Sequence, residues 1–592
     1  MRTLAILILS LLTLLSAPAL GADFDKGFSA FQRGDYATAL REWTPLAEQG
    51  NAKAQHNLGL MYRQGMGVEK DFTAAAEWYR RAAEQGIAIA QHNLGVLYYE
   101  GDGVEQDYTA AAEWYRRAAE QGLAKTQYNL GVMYSIGQGV EKDYVAAAEW
   151  YRRAAEQGLA DAQHNLGVMY ENGQGVEQDY TAGADWYRRA AEQGLASAQN
   201  DLGTMYLEGE GVEQDYAAAA EWFRRAAEQG VSEAQYNLGV MYKDGQGVAQ
   251  DYAAAAEWFR RAAKQGFAMA QYNLGVMYEN GQGVDQDYTA GAEWYRRAAE
   301  QGLASAQNDL GTMYLEGDGV AQDYATAAEW FRRATEQGVS EAQYNLGVMY
   351  KNGHGVVQDY AAAAEWFQRA AEQGHASAQH NLGVMYGLGW GVVQDYAAAA
   401  EWYRRAAGQE LADAQYNLGL IYYKGNGVEQ DYAAAAEWFR RAAEQGFAMA
   451  QYNLGVMYGN GQGLVQDYAA AVEWYRRAAR QGNVWSQSNL GLMYDKGFGV
   501  ERDYATAVEW FQLAAEQGFA DAQHNLGAKY ALGQGVIQDY LKAHMWGNIA
   551  KSNGSANAEK LLTLLEERMT ASQISEAQTA ARDCVAKGYK GC

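Results

Sequence analysis

Apolar residues along this chain recur with the spacing of short amphipathic helices. In the segment 231–266, Ala234, Leu238 and Tyr242 lie at i, i+4 and i+8, which places them on one face of a helix. Gly245 follows, and glycine is common where a helix ends. The segment therefore predicts a first helix that ends before Gly245.

A second helix is predicted in the same segment. Asp251 is a natural N-cap, because its carboxylate can accept hydrogen bonds from the free N–H groups of the first turn. Gly266 is placed to end this helix. Glu257 precedes Arg261 by four residues, which is the favourable order for an ion pair along a helix.

The pattern repeats every 36 residues. A recurrent asparagine in the first helix marks the period, and Asp201 and Asp309 occupy its two missing places. The asparagines are Asn57, Asn93, Asn129, Asn165, Asn237, Asn273, Asn345, Asn381, Asn417, Asn453, Asn489 and Asn525. Fourteen units thus fill residues 51–554 without an insertion. A fixed period of this length predicts stacked helix pairs rather than separate globular domains.

Each unit also has a Leu-Gly pair in its first helix and a tryptophan in its second. The glycines run from Gly59 to Gly527 and the tryptophans from Trp78 to Trp546. Glycine weakens a helix, so its recurrence inside one indicates that a neighbouring group approaches the backbone closely there. We therefore expect the tryptophans to be the large core residues that pack against these glycines.

One junction departs from the pattern. Glu410 stands where the other units end in glycine, and Gly408 lies two residues earlier. A non-glycine residue in the left-handed region costs about 1–2 kcal/mol. We therefore expect local repacking and a bend at this junction rather than an unchanged backbone.

The repeated pattern resembles the Sel-one-like repeat family, relatives of the tetratricopeptide repeats. In one unit the matching residues are Ala162, Leu166, Gly167, Tyr170, Gly173, Gly175, Val176, Asp179, Trp186, Ala190, Ala191 and Gly194. The resemblance implies an all-α fold, a right-handed superhelical solenoid of antiparallel helix pairs. It also implies a scaffold or adaptor for other proteins, and some exported bacterial members resemble envelope or host-interaction factors.

The two ends of the chain differ from the array. Residues 1–22 have a positive start and an apolar run followed by small residues, which is typical of a secretory signal peptide. Residues 23–50 resemble a shortened unit and are expected to form an N-terminal cap. Residues 555–592 are expected to form a C-terminal helical cap, in which Thr570 and Gln573 have capping-box spacing.

Export is therefore expected, to the periplasm or alternatively to the outside of the cell. Cys584 and Cys592 are the two cysteines of the chain, and an oxidising compartment would allow them to form a disulfide. No stretch after the first 22 residues is apolar for long enough to predict a membrane span in the mature chain.

Composition narrows the function classes. The chain has 592 residues, with 73 acidic against 47 basic side chains and a net charge of −26, which argues against a nucleic-acid partner. An apolar content of 49% excludes a disordered acidic tail. Two cysteines cannot form a disulfide scaffold or a cysteine-based metal cluster.

Catalytic motifs are absent from the sequence. It contains no His-Glu-x-x-His, no G-x-S-x-G, and no serine three residues before a lysine. Most of the eight histidines occupy the place just before the recurrent asparagine, where a polar surface ladder is the simplest interpretation. They are His56, His92, His164, His380 and His524. No catalytic residue, metal ligand or cofactor is predicted.

The first helices carry the candidate partner-binding residues, since in this architecture they are expected to line the concave wall. Side-chain amides can bond both polar groups of an extended peptide. The candidates are Asn57, Asn93, Asn129, Asn165, Asn237, Asn273, Asn345, Asn381, Asn417 and Asn453. Alternatively, the Gln and Asn amides only tie neighbouring helices together. The variable pair after the repeat tyrosine, such as Gly387-Leu388, either sets partner choice or is tolerated drift.

The sequence thus predicts a non-enzymatic, exported scaffold that binds a protein or peptide partner. One alternative is a cell-envelope enzyme or peptidoglycan-fragment binder of the penicillin-recognising, β-lactamase-like type. That activity belongs to a cysteine-rich branch of the resembled family, whose repeat cysteines this chain lacks. A further alternative is a secreted factor that engages a host.

Overall fold

The computed structural model describes residues 22–592, and the regular structure in this range is entirely α-helical. It has 32 helices, of which α3 to α30 form fourteen consecutive pairs, one for each 36-residue unit. The prediction of an all-α solenoid built from repeated helix pairs is confirmed. The predicted signal peptide lies outside the described residues, apart from Ala22.

The helix bounds follow the period of the sequence. The first helices of the units are α3 (Ala52–Gln64), α5 (Ala88–Glu100), α7 (Ala124–Ile136), α9 (Ala160–Asn172), α11 (Ala196–Glu208), α13 (Ser232–Asp244), α15 (Ala268–Asn280), α17 (Ala304–Glu316), α19 (Ser340–Asn352), α21 (Ala376–Leu388), α23 (Ala412–Lys424), α25 (Ala448–Asn460), α27 (Val484–Lys496) and α29 (Ala520–Leu532). The second helices are α4 (Phe72–Glu84), α6 (Tyr108–Glu120), α8 (Tyr144–Glu156), α10 (Tyr180–Glu192), α12 (Tyr216–Glu228), α14 (Tyr252–Lys264), α16 (Tyr288–Glu300), α18 (Tyr324–Glu336), α20 (Tyr360–Glu372), α22 (Tyr396–Gly408), α24 (Tyr432–Glu444), α26 (Tyr468–Arg480), α28 (Tyr504–Ala515) and α30 (Tyr540–Ser552). The helices before and after the array are α1 (Phe24–Gln32), α2 (Tyr36–Glu48), α31 (Ala558–Glu566) and α32 (Ala571–Ala586).

The chain divides into two compact units, one ending at Trp294 and the other beginning at Tyr295. In each unit, successive helices pack against one another along the sequence. No helix within residues 22–592 is long and apolar enough to cross a membrane.

The predicted helix ends are confirmed. The N–H of Ala254 donates to the carboxylate of Asp251, at 3.0 Å, and so caps the start of α14. Gly266 follows the end of that helix with a φ of 91°, a conformation in which glycine carries no Cβ penalty. Glu257 and Arg261 form the predicted ion pair, with 3.1 Å between Oε1 and Nε.

The prediction for the tryptophans is wrong. A Cβ on Gly239 would lie 2.7 Å from the ring of Phe259, so the residue after the tryptophan packs against the glycine. Phe259 is fully buried, whereas Trp258 is partly exposed with the guanidinium of Arg261 4.5 Å from its ring centre. Adjacent helical residues point about 100° apart, and only one of them can face the glycine.

The tryptophan pattern changes only in the last repeat. The recurrent tryptophans of the first thirteen units, Trp78 to Trp510, are partly exposed, and Trp546 is fully buried. Here Gly547 replaces the buried aromatic residue, and the side chain of Leu562 in α31 occupies the adjacent space. The last pair therefore packs against the C-terminal helices instead of a further repeat.

The second loop glycine of each unit allows consecutive units to approach closely. At Gly247, φ is 69°, and a Cβ would lie 2.1 Å from the carbonyl oxygen of Tyr216, in the preceding unit. This contact explains why a second glycine recurs two residues after the first in the loop of each unit. A side chain there would collide with the backbone of the preceding unit.

The expected repacking at Glu410 is also wrong. Glu410 keeps the left-handed backbone of the glycine it replaces, with a φ of 65°, and α22 ends at Gly408 as its equivalents end elsewhere. The hydrogen bonds of the glutamate and the next residue to the end of α22 are retained, from Glu410 N–H to Ala407 O and from Leu411 N–H to Ala406 O. The surrounding unit therefore fixes this conformation despite its intrinsic cost.

The C-terminal segment forms two helices and a disulfide. The predicted capping box at the start of α32 is confirmed, since Thr570 and Gln573 bond each other's backbone N–H groups. Cys584 and Cys592 are joined by a disulfide with an S–S distance of 2.07 Å. The Tyr589 hydroxyl lies 3.2 Å from the Asn553 amide, which connects the final turn to the end of α30.

Candidate functional site

The repeat glutamines before the candidate asparagines are structural. Gln55 is 4% exposed; its Nε2 donates to the carbonyl of Ala47 at 2.9 Å, and its Oε1 accepts from Gln85 at 2.7 Å. Equivalent bonds recur in both compact units, for example from Gln445 to Gln415 at 2.9 Å. The alternative that amides tie neighbouring helices together therefore holds for the glutamines.

The ten candidate asparagines lie on the first helices, and all of them are partly exposed. Some also contact the preceding unit. The Nδ2 of Asn417 lies 2.9 Å from Nε2 of His380, and Oδ1 of Asn381 accepts from Lys351 at 3.1 Å. Asn381 also donates to the carbonyl of Ser377 at 2.9 Å. The asparagines thus form an accessible polar surface that is partly engaged between units.

The residues before the asparagines pack between this surface and the core. The ring centres of His92 and Tyr115 are 5.6 Å apart, and those of His380 and Tyr403 are 5.7 Å apart. Burial is the main cause that lowers the pKa of both histidines, to about 4 for His92. Because they recur one per repeat, these histidines do not converge on one point. No group of three or more His, Cys, Asp or Glu suited to a metal ion occurs in residues 22–592.

Two cavities open on this surface at equivalent positions of the repeat. One, of about 300 Å³, lies between α5 and α7 in the first compact unit. It is lined by Val96, Tyr99, Glu100, Tyr115, Tyr128, Asn129, Val132 and Met133. The other, of about 290 Å³, lies between α21 and α23 in the second. Its lining residues are Val384, Gly387, Leu388, Tyr396, Tyr403, Asn417, Leu420, Ile421, Lys424 and Asn426.

The cavities combine candidate asparagines with residues that the sequence marked as variable. Asn129 and Asn417 line one cavity each, and the variable pair Gly387-Leu388 lines the second. Sequence reasoning missed Tyr403 and Lys424. The sequence did contain a signal for Tyr403. Either Tyr or Phe stands after the repeat tryptophan, so the packing at this position does not require a hydroxyl.

Comparison with known proteins identifies the array. The profile of the Sel1 repeat matches fourteen consecutive segments, which are 52–87, 88–123, 124–159, 160–195, 196–231, 232–267, 268–303, 304–339, 340–375, 376–410, 412–447, 448–483, 486–519 and 520–555. The chain belongs to the Sel1 repeat family. The Sel1 repeat fold is typically a non-catalytic scaffold for interactions between proteins.

Solved structures of other Sel1 repeat proteins are similar to this one. The protein c5321, described as a protective antigen of uropathogenic Escherichia coli with this fold, is 40% identical over 75% of this chain and 96% of its own, with a TM-score of 0.68. A Sel1 repeat protein from Oxalobacter formigenes is 37% identical over 52% of this chain and 89% of its own, with a TM-score of 0.44. No curated protein matches this Sel1 repeat chain.

Proposed function

We propose that this protein is an exported, periplasmic scaffold that binds protein or peptide partners through the surface of its first helices. The observation that carries the proposal is the row of ten partly exposed asparagines, with an apolar-lined cavity at two equivalent places. Exposed amides offer both donors and acceptors to a peptide backbone, while the cavities offer space for side chains.

We propose a binding role rather than a catalytic one for this surface. A catalytic site requires titratable groups that converge within hydrogen-bond distance of one reacting atom. On the first helices, the histidines lie in different repeats and contact neighbouring side chains instead. His164 Nε2, for example, lies 2.7 Å from the Asp201 carboxylate of the next unit. Such pairs join repeats and leave the amides as the recurrent accessible groups.

Affinity capture from a cell-envelope extract tests the binding role, with the chain from Asp23 onward as bait. We expect one protein in stoichiometric amount, and loss of capture when Asn237, Asn273 and Asn345 are all changed to Ala. The matched control changes three second-helix glutamates that are partly or fully exposed, Glu221, Glu257 and Glu329, to Gln. Capture that survives the asparagine changes in a folded protein would show that these amides are structural. Enrichment of cell-wall fragments without a protein would instead favour the peptidoglycan-binding alternative.

Export is tested separately by fractionating cells that express the full chain. We expect the protein in the periplasmic fraction, shortened at its N-terminus and with Cys584 and Cys592 oxidised. The control is Ile8→Arg, which interrupts the apolar run and is expected to retain the full-length chain in the cytoplasm. An unshortened wild-type chain in the cytoplasm would contradict the export proposal, whatever the capture experiment shows.

A further inference from the structure

The cavity between α21 and α23 contains a tyrosine hydroxyl that other units pair with a side chain. Tyr403 lines this cavity and is only 7% exposed. At the equivalent place in α10, the Tyr187 hydroxyl donates to the Glu171 carboxylate at 2.5 Å, and in α8 the Tyr151 hydroxyl lies 3.4 Å from Ser135. A hydroxyl on a largely buried side chain is normally hydrogen-bonded, so a ligand that enters the cavity would supply the acceptor that Glu171 and Ser135 supply in their units.

Gly387 occupies the place of Glu171 and Ser135 in α21. A Cβ on Gly387 would lie 3.8 Å from the Tyr403 hydroxyl, so the glycine both removes the acceptor and opens the cavity. Within residues 22–592, the Tyr403 hydroxyl has no hydrogen-bond partner. Burial raises the pKa of Tyr403, which keeps the hydroxyl protonated and able to donate.

The remaining lining gives this cavity a charge and an apolar wall. Leu420 and the buried Ile421 line it from α23, and Val384 lines it from α21. Lys424 is an exposed cation among the lining residues. A carboxylate complements both the phenolic donor and the ammonium group, and an aliphatic neighbour complements the wall.

We propose that this cavity binds a carboxylate of a partner protein, flanked by an aliphatic side chain, in the place that Glu171 occupies in its own unit. The carboxylate comes either from an acidic side chain or from a chain terminus. The inference rests on the proposed peptide-binding function of the first helices and names the chemistry of one subsite within it.

The other glycine at this place does not give the same site. Gly459 in α25 adjoins Tyr475, and the Asn489 side chain of the following first helix lies beside that tyrosine and opposes the rise in its pKa that burial causes. There Lys496 pairs with Asp495, with 3.0 Å between Nζ and Oδ2. Both groups that would recognise a carboxylate are therefore engaged, and Gly459 provides a matched control.

The test uses the chain from Asp23 onward and three fluorescent seven-residue peptides. The first is blocked at both ends and carries Leu-Glu-Leu at its centre, the second has Gln in place of Glu, and the third has that Gln with a free C-terminal carboxylate after leucine. We expect the first or third peptide to bind at least about tenfold more tightly than the second, because hydrogen bonds to charged groups are the strong ones. Which of the two binds identifies the source of the carboxylate.

Two variants locate the binding. Gly387→Glu would supply the acceptor within the chain and is expected to abolish binding, while Gly459→Glu leaves it unchanged. Tyr403→Phe is expected to weaken binding about tenfold, and its folding is safe because Phe stands at the equivalent place in six units. These residues are Phe223, Phe259, Phe331, Phe367, Phe439 and Phe511.

Equal binding of the Glu and Gln peptides would overturn the proposal, as would binding by Gly387→Glu at wild-type strength. Failure of all three peptides to bind the wild-type chain would also overturn it. In that case, capture of a protein partner that depends on the asparagines would leave the proposed function intact, so the two failures are distinguishable.

Discussion

The cavity between α5 and α7 and that between α21 and α23 occupy the same place in the repeat but differ in chemistry. Tyr99 in the first becomes Gly387 in the second, and the unit boundary before α7 has Gly122 where the boundary before α23 has Glu410. The rim of the first carries a carboxylate, Glu100, whereas that of the second carries the ammonium group of Lys424.

This difference shows how a nearly uniform array becomes locally specific. The helix bounds and the buried positions are shared, including an aromatic ring at each cavity, Tyr115 or Tyr403. The changes that give the two cavities their different chemistry, Tyr99 to Gly387 and Glu100 to Leu388, fall at positions that are not buried. The repeated helix pairs therefore tolerate different binding chemistries at equivalent places, as a scaffold requires.

The largest effect on the free energy of unfolding is expected when two glycines of α21 are each changed to Ala. A Cβ on Gly383 would lie 2.7 Å from the Tyr403 ring, whereas one on Gly387 meets nothing closer than 3.8 Å. We expect Gly383→Ala to lower the free energy of unfolding by about 1–3 kcal/mol through overpacking. Gly387→Ala should raise it by up to about 1 kcal/mol through helix propensity. Denaturant titration with hydrogen exchange of α21 and α22 measures both.

Gly95→Ala in α5 provides the corresponding change in the other cavity. Its Cβ would lie 2.6 Å from the Tyr115 ring, and we expect a loss similar to that of Gly383→Ala. A loss for Gly387→Ala as large as that for Gly383→Ala would contradict the conclusion that the second cavity is open at Gly387.

A smaller effect is expected at the boundaries before α7 and α23. Glu410→Gly should raise the free energy of unfolding by about 1 kcal/mol, since it relieves a left-handed glutamate. Gly122→Glu should lower it by a similar amount, because Gly122 has a φ of 90°. Thermal unfolding compares the two. If Glu410→Gly has no effect, contacts of the glutamate side chain offset the backbone cost.

The smallest effect concerns the histidines beside the two cavities. Burial lowers the pKa of His92 to about 4, with Arg63 and Lys125 adding to the shift, whereas Asp413 opposes the shift at His380. We therefore expect His380 to titrate at higher pH than His92, which NMR of labelled histidines measures.

The lowered pKa of His92 also makes the free energy of unfolding depend on pH. Because His92 is held neutral in the folded state, its contribution to the free energy of unfolding is complete above the ordinary pKa of 6.5. That contribution is lost as the pH falls toward about 4. His92→Tyr should flatten that pH dependence, and tyrosine already stands at the equivalent Tyr128. An unchanged pH dependence in this variant would show that His92 does not titrate in this range.

The sequence predicted the helix pairs and their caps because these depend on local chemistry. Asp251 and Gly266 act through their own backbone neighbours. The choice between Trp258 and Phe259 as the core residue was wrong because two adjacent aromatic residues satisfy the same helical pattern. Which one faces Gly239 is set by how the second helix is rotated against the first.

The candidate site was predictable only in part for a related reason. The exposed face of the asparagines follows from periodicity, and Gly387-Leu388 was visible as a variable pair. The unpaired Tyr403 hydroxyl was not visible, because it arises from a glycine on one helix facing a tyrosine on the next. Glu410 likewise keeps a backbone that its own preference opposes, since neighbouring hydrogen bonds outweigh local propensity.

The contacts between consecutive units constrain how such a chain can change its length during evolution. Gly247 meets Tyr216 of the preceding unit, and Gln235 donates to the carbonyl of Ala227 in that unit at 3.0 Å. Gain or loss of a complete 36-residue copy preserves every such contact, whereas a shorter insertion would displace a loop glycine from the backbone it adjoins. Tandem duplication is therefore the change of length that this architecture tolerates best, and a duplicated copy brings its binding surface with it.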